Sequence, residues 1–153
     1  MGMRITNITE VITAMQLVDR NVNEGARLAL RQGAENVKKD AVAFAPVLHY
    51  RLEKAIKILP ARGNQYSLKL TIAVTGVIDG KSVDKYAAEV HEYSWERRGA
   101  LTQLKSPKAG PRYLFRAMEK NKKDIEERLS AAVNSGITTA IAQSGVNRKR
   151  RSR

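Results

Sequence analysis

The sequence contains no cysteine. Disulfides, thiolate zinc sites and cysteine nucleophiles are excluded together. No apolar run approaches the roughly 18 residues that a membrane span needs. The opening stretch "MGMRITNITE" lacks the charged-then-apolar pattern of a signal peptide. Synthesis in a cytoplasm, with no membrane partner, is the expectation. Aromatic residues are only 5% of the chain, and the glycines are scattered. There is no Walker loop, no G-x-G-x-x-G fingerprint, no G-x-S-x-G elbow and no HExxH pair. A sheet that stacks bases on an aromatic platform is not indicated either, because the clearest strand is aliphatic.

What the chain has in excess is positive charge. It carries 28 basic and 15 acidic residues in 153, a net charge of +13. Such an excess suits a polyanionic partner, either nucleic acid or an acidic protein surface. Five of the basic residues, Arg148, Lys149, Arg150, Arg151 and Arg153, crowd into the last seven positions, "NRKRRSR". Like charges at that density repel one another and form no core. These five residues are candidates for contact with DNA phosphates or with an acidic neighbouring subunit. The remaining 23 basic residues still outnumber the 15 acidic ones. A chain of this length, 42% hydrophobic, can bury a core without staples.

The apolar periodicity changes along the chain. Ile8, Val11, Ile12, Met15 and Val18 suit a short helix over 8–18. Val22, Ala26, Leu30, Gly33, Val37, Ala41 and Phe44 then form an amphipathic stripe. Asn21 is the expected cap, with Glu24 three residues on, and Pro46 ends this second helix. Its small residues Ala26, Gly33 and Ala41 let another element approach closely. Leu68, Leu70, Ile72 and Val74 alternate with polar or small residues, as in a half-buried strand. With "KAIKILPARGN" before it, residues 54–75 form a β-hairpin, Pro60 lying at an edge or a strand end. Across 83–93, Val83, Tyr86, Ala87 and Val90 suit a helical turn or two, with an extended end as the open alternative. Residues 94–110 are expected to be a long loop, which in a compact domain is usually functional. Pro111 opens a last helix with Leu114, Met118, Ile125, Leu129 and Val133 as its stripe and Asn121 as a polar gap; Gly136 is a candidate stop, with a weak helical continuation through "ITTAIAQSG" as the alternative. The expected architecture is α+β: a small, mainly antiparallel sheet packed with two long helices, at about 21–45 and 111–135. Residues 1–136 form one domain and 137–153 an extension ending in the basic tail. Leu70, Ile72, Leu114 and Met118 are the predicted core.

One stretch, "YAAEVHEYSWERRG" at 86–99, gathers Glu89, His91, Glu92 and Glu96. Metal sites use such residues. Yet His91 and Glu92 are adjacent and diverge on either a helix or a strand. Glu89 would share a face with His91 only if extended, and with Glu92 only if helical. Ion pairing with Arg97, Arg98 or a neighbouring chain is the expectation, not metal binding. No catalytic residue, metal or cofactor is expected, and the chain is not expected to be an enzyme. Trp95 could stack on a base, but beside Arg97 and Arg98 it suits an interface anchor.

The order of segments carries a resemblance. A long helix runs into "VKKDAVAFAPV"; then come "RLEKAIKI", a strand, "YAAEVHEY", a variable loop and "GPRYLFRAMEK" opening a final helix. This resembles the small tail-component family of tailed bacteriophages, the neck or tail-completion proteins. Ala45-Pro46, Tyr86-Ala87, Val90, Pro111, Tyr113-Leu114 and Ala117 occupy the family's recurring steps, over about residues 20–135. "HYRL" stands where a glycine would precede Leu52, and "YSWERRG" follows the acidic position in place of a Gly-Thr. The resemblance implies a structural virion protein made in the bacterial host cytoplasm. It implies copies in a ring at the head–tail junction, around the channel that packaged DNA traverses, between head-completion and tail proteins. Under that reading Glu92, Trp95, Arg97, Arg98, Lys105 and Lys108 face a neighbouring subunit. A tail-terminator ring and a free basic nucleic-acid-binding protein are the alternatives, and a basic nuclease or lytic enzyme is the remotest.

Overall fold

The computed structural model describes residues 8–47, 50–64, 67–92, 100–105 and 108–143. The elements in chain order are α1 (Ile8–Phe44), α2 (Arg51–Ala55), β1 (Ile56–Asn64), β2 (Ser67–Val74), β3 (Val77–Ile78), β4 (Lys81–Ser82), α3 (Asp84–Glu92), α4 (Ala100–Lys105) and α5 (Tyr113–Gln143). The architecture is α+β. Two long helices accompany two separate antiparallel pairs, β1–β2 and β3–β4. No helix among the described residues is long and apolar enough to cross a membrane.

The first two predicted helices are one. α1 runs for 37 residues without a break at Asn21. No proline or glycine interrupts 15–22, and the Asn21 amide donates to Gln143 Oε1 at 3.1 Å instead of capping a helix start. At the other end, α5 begins at Tyr113 and not at Pro111, because Arg112 is left-handed (φ 53°). Nor does α5 stop at Gly136; it takes the alternative course and continues as helix to Gln143.

The chain divides into two compact units, Met1–Leu30 with Glu126–Arg153, and Arg31–Ile125. In the first, the described parts of α1 and α5 lie antiparallel at close approach. A Cβ on Gly136 would stand 2.8 Å from the Val22 backbone nitrogen, and one on Gly25 would stand 3.4 Å from Ala132 Cβ. Ala29 and Ala140 are buried beside them. Small residues on the contact stripe replace the large ones of an ordinary helix seam.

The second unit holds the main core. Val37, Ala41 and Phe44 of α1 meet Leu52, Ala55, Ile56, Val83, Ala87, Val90, Tyr113 and Ala117. Gly33 faces Ile125 so closely that a Cβ there would lie 2.6 Å from Ile125 Cγ1. The α1 stripe expected from the sequence is the one that packs. The α5 stripe holds at Asn121, which is buried, and at Ile125, which packs on the core, and is displaced by one residue in the first two turns. Tyr113, Ala117 and Asn121 point inward, Leu114 packs at the margin, and Met118 is 52% exposed, so Met118 is not core. Ile72 lies against the core, whereas Leu70 is half-buried.

The β1–β2 hairpin pairs Ile56 with Val74, Lys57 with Ala73, Ile58 with Ile72 and Leu59 with Thr71. It then slips at Pro60-Ala61 and resumes with Arg62 opposite Lys69. Pro60 cannot donate to a ladder, so a bulge forms where it stands. The β3–β4 pair turns on Asp79 (φ 51°) and Gly80 (φ 74°). Two positive-φ residues between paired strands make the I′ turn for which Asp-Gly is suited.

Candidate functional site

The stretch that drew attention in the sequence begins as a helix. α3 covers Asp84–Glu92 and places Glu89 and His91 about 200° apart. Glu89 is exposed, and Glu92 is the last residue of the helix. The His91 ring meets Tyr113 edge to face, with centroids 5.3 Å apart, and its carbonyl accepts from the Arg112 amide at 2.8 Å. His91 thus joins the end of α3 to the start of α5. Among the described residues no group of three or more His, Cys, Asp or Glu could hold a metal ion.

The acid-x-Lys spacing of metal nucleases occurs once, at Asp79-Gly80-Lys81. It lies in the β3–β4 turn, with the Asp79 carboxylate 3.5 Å from Arg51 Nε. This pairs the acid with a cation of its own chain.

Residues 100–110 are not simply a loop. α4 occupies Ala100–Lys105 and docks on the end of α1. Pro46 has no N–H, so the Val42 carbonyl loses its helical partner. Lys105 Nζ takes that carbonyl at 2.5 Å and also donates to Ala45 O at 3.0 Å and Glu53 Oε1 at 2.7 Å. α1 has no basic residue in its own last turn. The cation that suits a helix C-terminus therefore comes from α4. Thr102, fully buried, accepts from the Val47 amide at 3.0 Å, and the Gly110 amide donates to Phe44 O at 2.9 Å. The Lys105 ammonium is thus engaged inside its own chain.

Lys108 is exposed, and its carbonyl accepts from Arg116 Nη1 at 2.8 Å. Arg116 and Lys120 lie over the Phe44 ring, at 5.3 and 5.7 Å. Trp95, Glu96, Arg97 and Arg98 lie outside the described residues, as do Arg148, Lys149, Arg150, Arg151 and Arg153. What the structure does describe is the frame around 93–99: α3 fastened through His91 and α4 through Thr102 and Lys105.

Two exposed surfaces were missed by the sequence reading. Phe115 and Met118, three residues apart on α5, are 49% and 52% exposed, and the Arg112 guanidinium lies 4.6 Å from the Phe115 ring centroid. α5 is therefore apolar on two sides, inward through Tyr113 and Ala117 and outward through Phe115 and Met118. The second surface is on the hairpin. Residues directly opposite in a ladder share a face. Lys57, Arg62 and Lys69 therefore stand on the side away from Ile56, Ile58, Ile72 and Val74. The signal was the alternation itself, read only for its apolar half.

Comparison with protein-family models, with curated proteins and with solved structures finds no match to this chain.

Proposed function

We propose that the chain is a structural virion protein of a tailed bacteriophage, a ring-forming subunit at the head–tail junction. The observation that carries this reading is where the residues of the resemblance lie. Ala45, Pro46, Ala87, Val90, Tyr113 and Ala117 are all buried in the second unit. Tyr86 and Leu114 pack against the same core. Steps far apart in the sequence therefore belong to one packing arrangement, which supports a likeness of fold over a chance likeness of short motifs. The outward Phe115–Met118 face on α5 suits a neighbouring copy, since a helix apolar on a second side calls for a second contact. The segment 93–99, framed by α3 and α4, supplies a further contact with Trp95 as anchor and Arg97 and Arg98 as ion-pair partners.

The test is native mass spectrometry with negative-stain imaging, on the purified chain alone and mixed with the head-completion and tail proteins beside which it is encoded. Closed rings of one copy number are the expected outcome. A monomer under all of these conditions removes the reading.

A further inference from the structure

We infer that the outward face of the β1–β2 hairpin is a docking surface for the phosphate backbone of duplex DNA. Three cations define it. Lys57 stands opposite Ala73, and Arg62 stands opposite Lys69 beyond the bulge. All three side chains are exposed. None forms an ion pair among the described residues. From Lys54 to Ile78 the chain contains four basic residues and no acidic one. The opposite face is spoken for: Ile56 is buried, and Ile72 and Val74 pack on the core. The ribbon is therefore anchored by its aliphatic side and presents its cationic side.

Geometry favours duplex DNA over other polyanions. A two-stranded antiparallel ribbon is one of the two elements that the major groove admits. Lys69 lies four residues from Ala73, the partner of Lys57, so the cations span about 13 Å at roughly 3.3 Å per residue. The major groove is about 12 Å wide. Between the cations lie Leu59 and Thr71, neither of which offers a ring on which an unpaired base could stack. The bulge at Pro60-Ala61 increases the local twist of the ribbon. This surface does not depend on ring formation: a monomer carrying the hairpin would still bind, so either claim can fail without the other.

The test measures binding of the full chain to a short random-sequence duplex as salt is raised, with and without the triple substitution Lys57→Gln, Arg62→Gln and Lys69→Gln. Three phosphate contacts at about 0.9 each predict that the slope of log K against log salt shallows by about 2.7 in the variant. Affinity at low salt should fall at least tenfold. Should the triple variant fold poorly by circular dichroism, each single substitution is measured instead, with a slope change of about 0.9 apiece. Arg31→Gln with Lys122→Gln, exposed on α1 and α5, removes charge elsewhere. An equal loss per charge in that control overturns the assignment, because binding would then follow net charge alone. Tighter binding to oligo(dT) than to duplex overturns it as well. So does hairpin-dependent binding of polyglutamate as strong as that of DNA, which would make the partner an acidic protein. Failure of the unsubstituted chain to bind duplex ends the proposal.

Discussion

Asp40 and Asn121 show how a polar pair can be built into a helix seam. Asn121 is 8% exposed and donates to Asp40 Oδ2 at 2.6 Å and to Ala117 O at 2.9 Å, while Lys120 donates to Asp40 Oδ1 at 2.7 Å. Burial raises the Asp40 carboxyl, but the bonds from Lys120 and Asn121 and the charges of Lys120 and Lys39 outweigh it, so its pKa lies below the ordinary value. The folded carboxyl thus binds its proton less readily than the unfolded one, and protonation favours unfolding. Its contribution is complete above the ordinary aspartate pKa of about 3.9 and is lost as pH falls below it. Urea midpoints should place Asp40→Asn below the unsubstituted protein at neutral pH, with the gap closing in acid. A gap that stays constant with pH contradicts this account. Tyr113 gives the converse case. Its side chain is wholly buried, its hydroxyl has no partner among the described residues, and burial, with Tyr86 adding, pushes its pKa up to about 12. Tyr113→Phe should therefore be neutral or stabilising by up to about 1 kcal/mol, whereas Tyr113→Ala should cost about 3–5 kcal/mol. A large loss in the phenylalanine variant would mean that the hydroxyl has a partner. Asn121 was visible in the sequence as a gap in a stripe. That Ala117 and not Met118 is the inward residue one turn earlier was not, because Met118 is the larger hydrophobe and Ala117 the smaller.

The close approach of α1 and α5 can be tested through its glycines. Gly25, Gly33 and Gly136 each sit in a helix, where alanine is intrinsically better by about 1 kcal/mol. They differ in what a Cβ would meet. At Gly25 it meets Ala132 Cβ at 3.4 Å, at Gly33 it meets Ile125 Cγ1 at 2.6 Å, and at Gly136 it meets Val22 backbone atoms at 2.8 and 2.9 Å. A side chain can turn away, but backbone moves only if the helices part. Thermal melts should rank Gly25→Ala near or above the unsubstituted protein, Gly33→Ala lower, and Gly136→Ala lowest, by about 1–3 kcal/mol. The reverse order would show that the helices are not held at this distance. The Lys105 cap belongs to the same scale. Lys105→Met leaves two carbonyls and the Glu53 carboxylate without their cation and should cost about 2–4 kcal/mol. Urea denaturation measures it, and an unchanged midpoint would remove α4 from the fold's supports. The α1 stripe and the β1–β2 hairpin were legible in the sequence because their apolar residues repeat over many positions. α4 was not, since six residues hold too little periodicity, and its purpose is set by Pro46, more than fifty positions away. The Asp79-Gly80 turn was present as a signal, but its strands are two residues long and show no alternation.

At the scale of the whole molecule, net charge and segment order were legible, and the placement of the cations was not. Composition gives +13 but does not say that three of the cations share one hairpin face. That depends on a register shifted by the bulge at Pro60-Ala61. The expected interface residues divide in the same way. Lys105 has a place within its own chain, while Trp95, Arg97 and Arg98 fall in a segment whose two flanks are fixed. His91 packs on Tyr113 before it, and Thr102 and Lys105 close on the end of α1 after it. With both flanks held by contacts that do not involve 93–99, substitutions there should leave the fold intact. Trp and Arg are the residue types that most often carry interface energy. The triple variant Trp95→Ala, Arg97→Ala and Arg98→Ala should therefore melt within about 1 kcal/mol of the unsubstituted chain. It should nevertheless fail to form rings and fail to join heads to tails in an assembly reaction. Loss of the cooperative melt would instead make Trp95 part of the core. Normal ring formation by a folded variant would remove this segment from the interface and leave the Phe115–Met118 face to account for assembly, where Phe115→Ser with Met118→Ser provides the matching test.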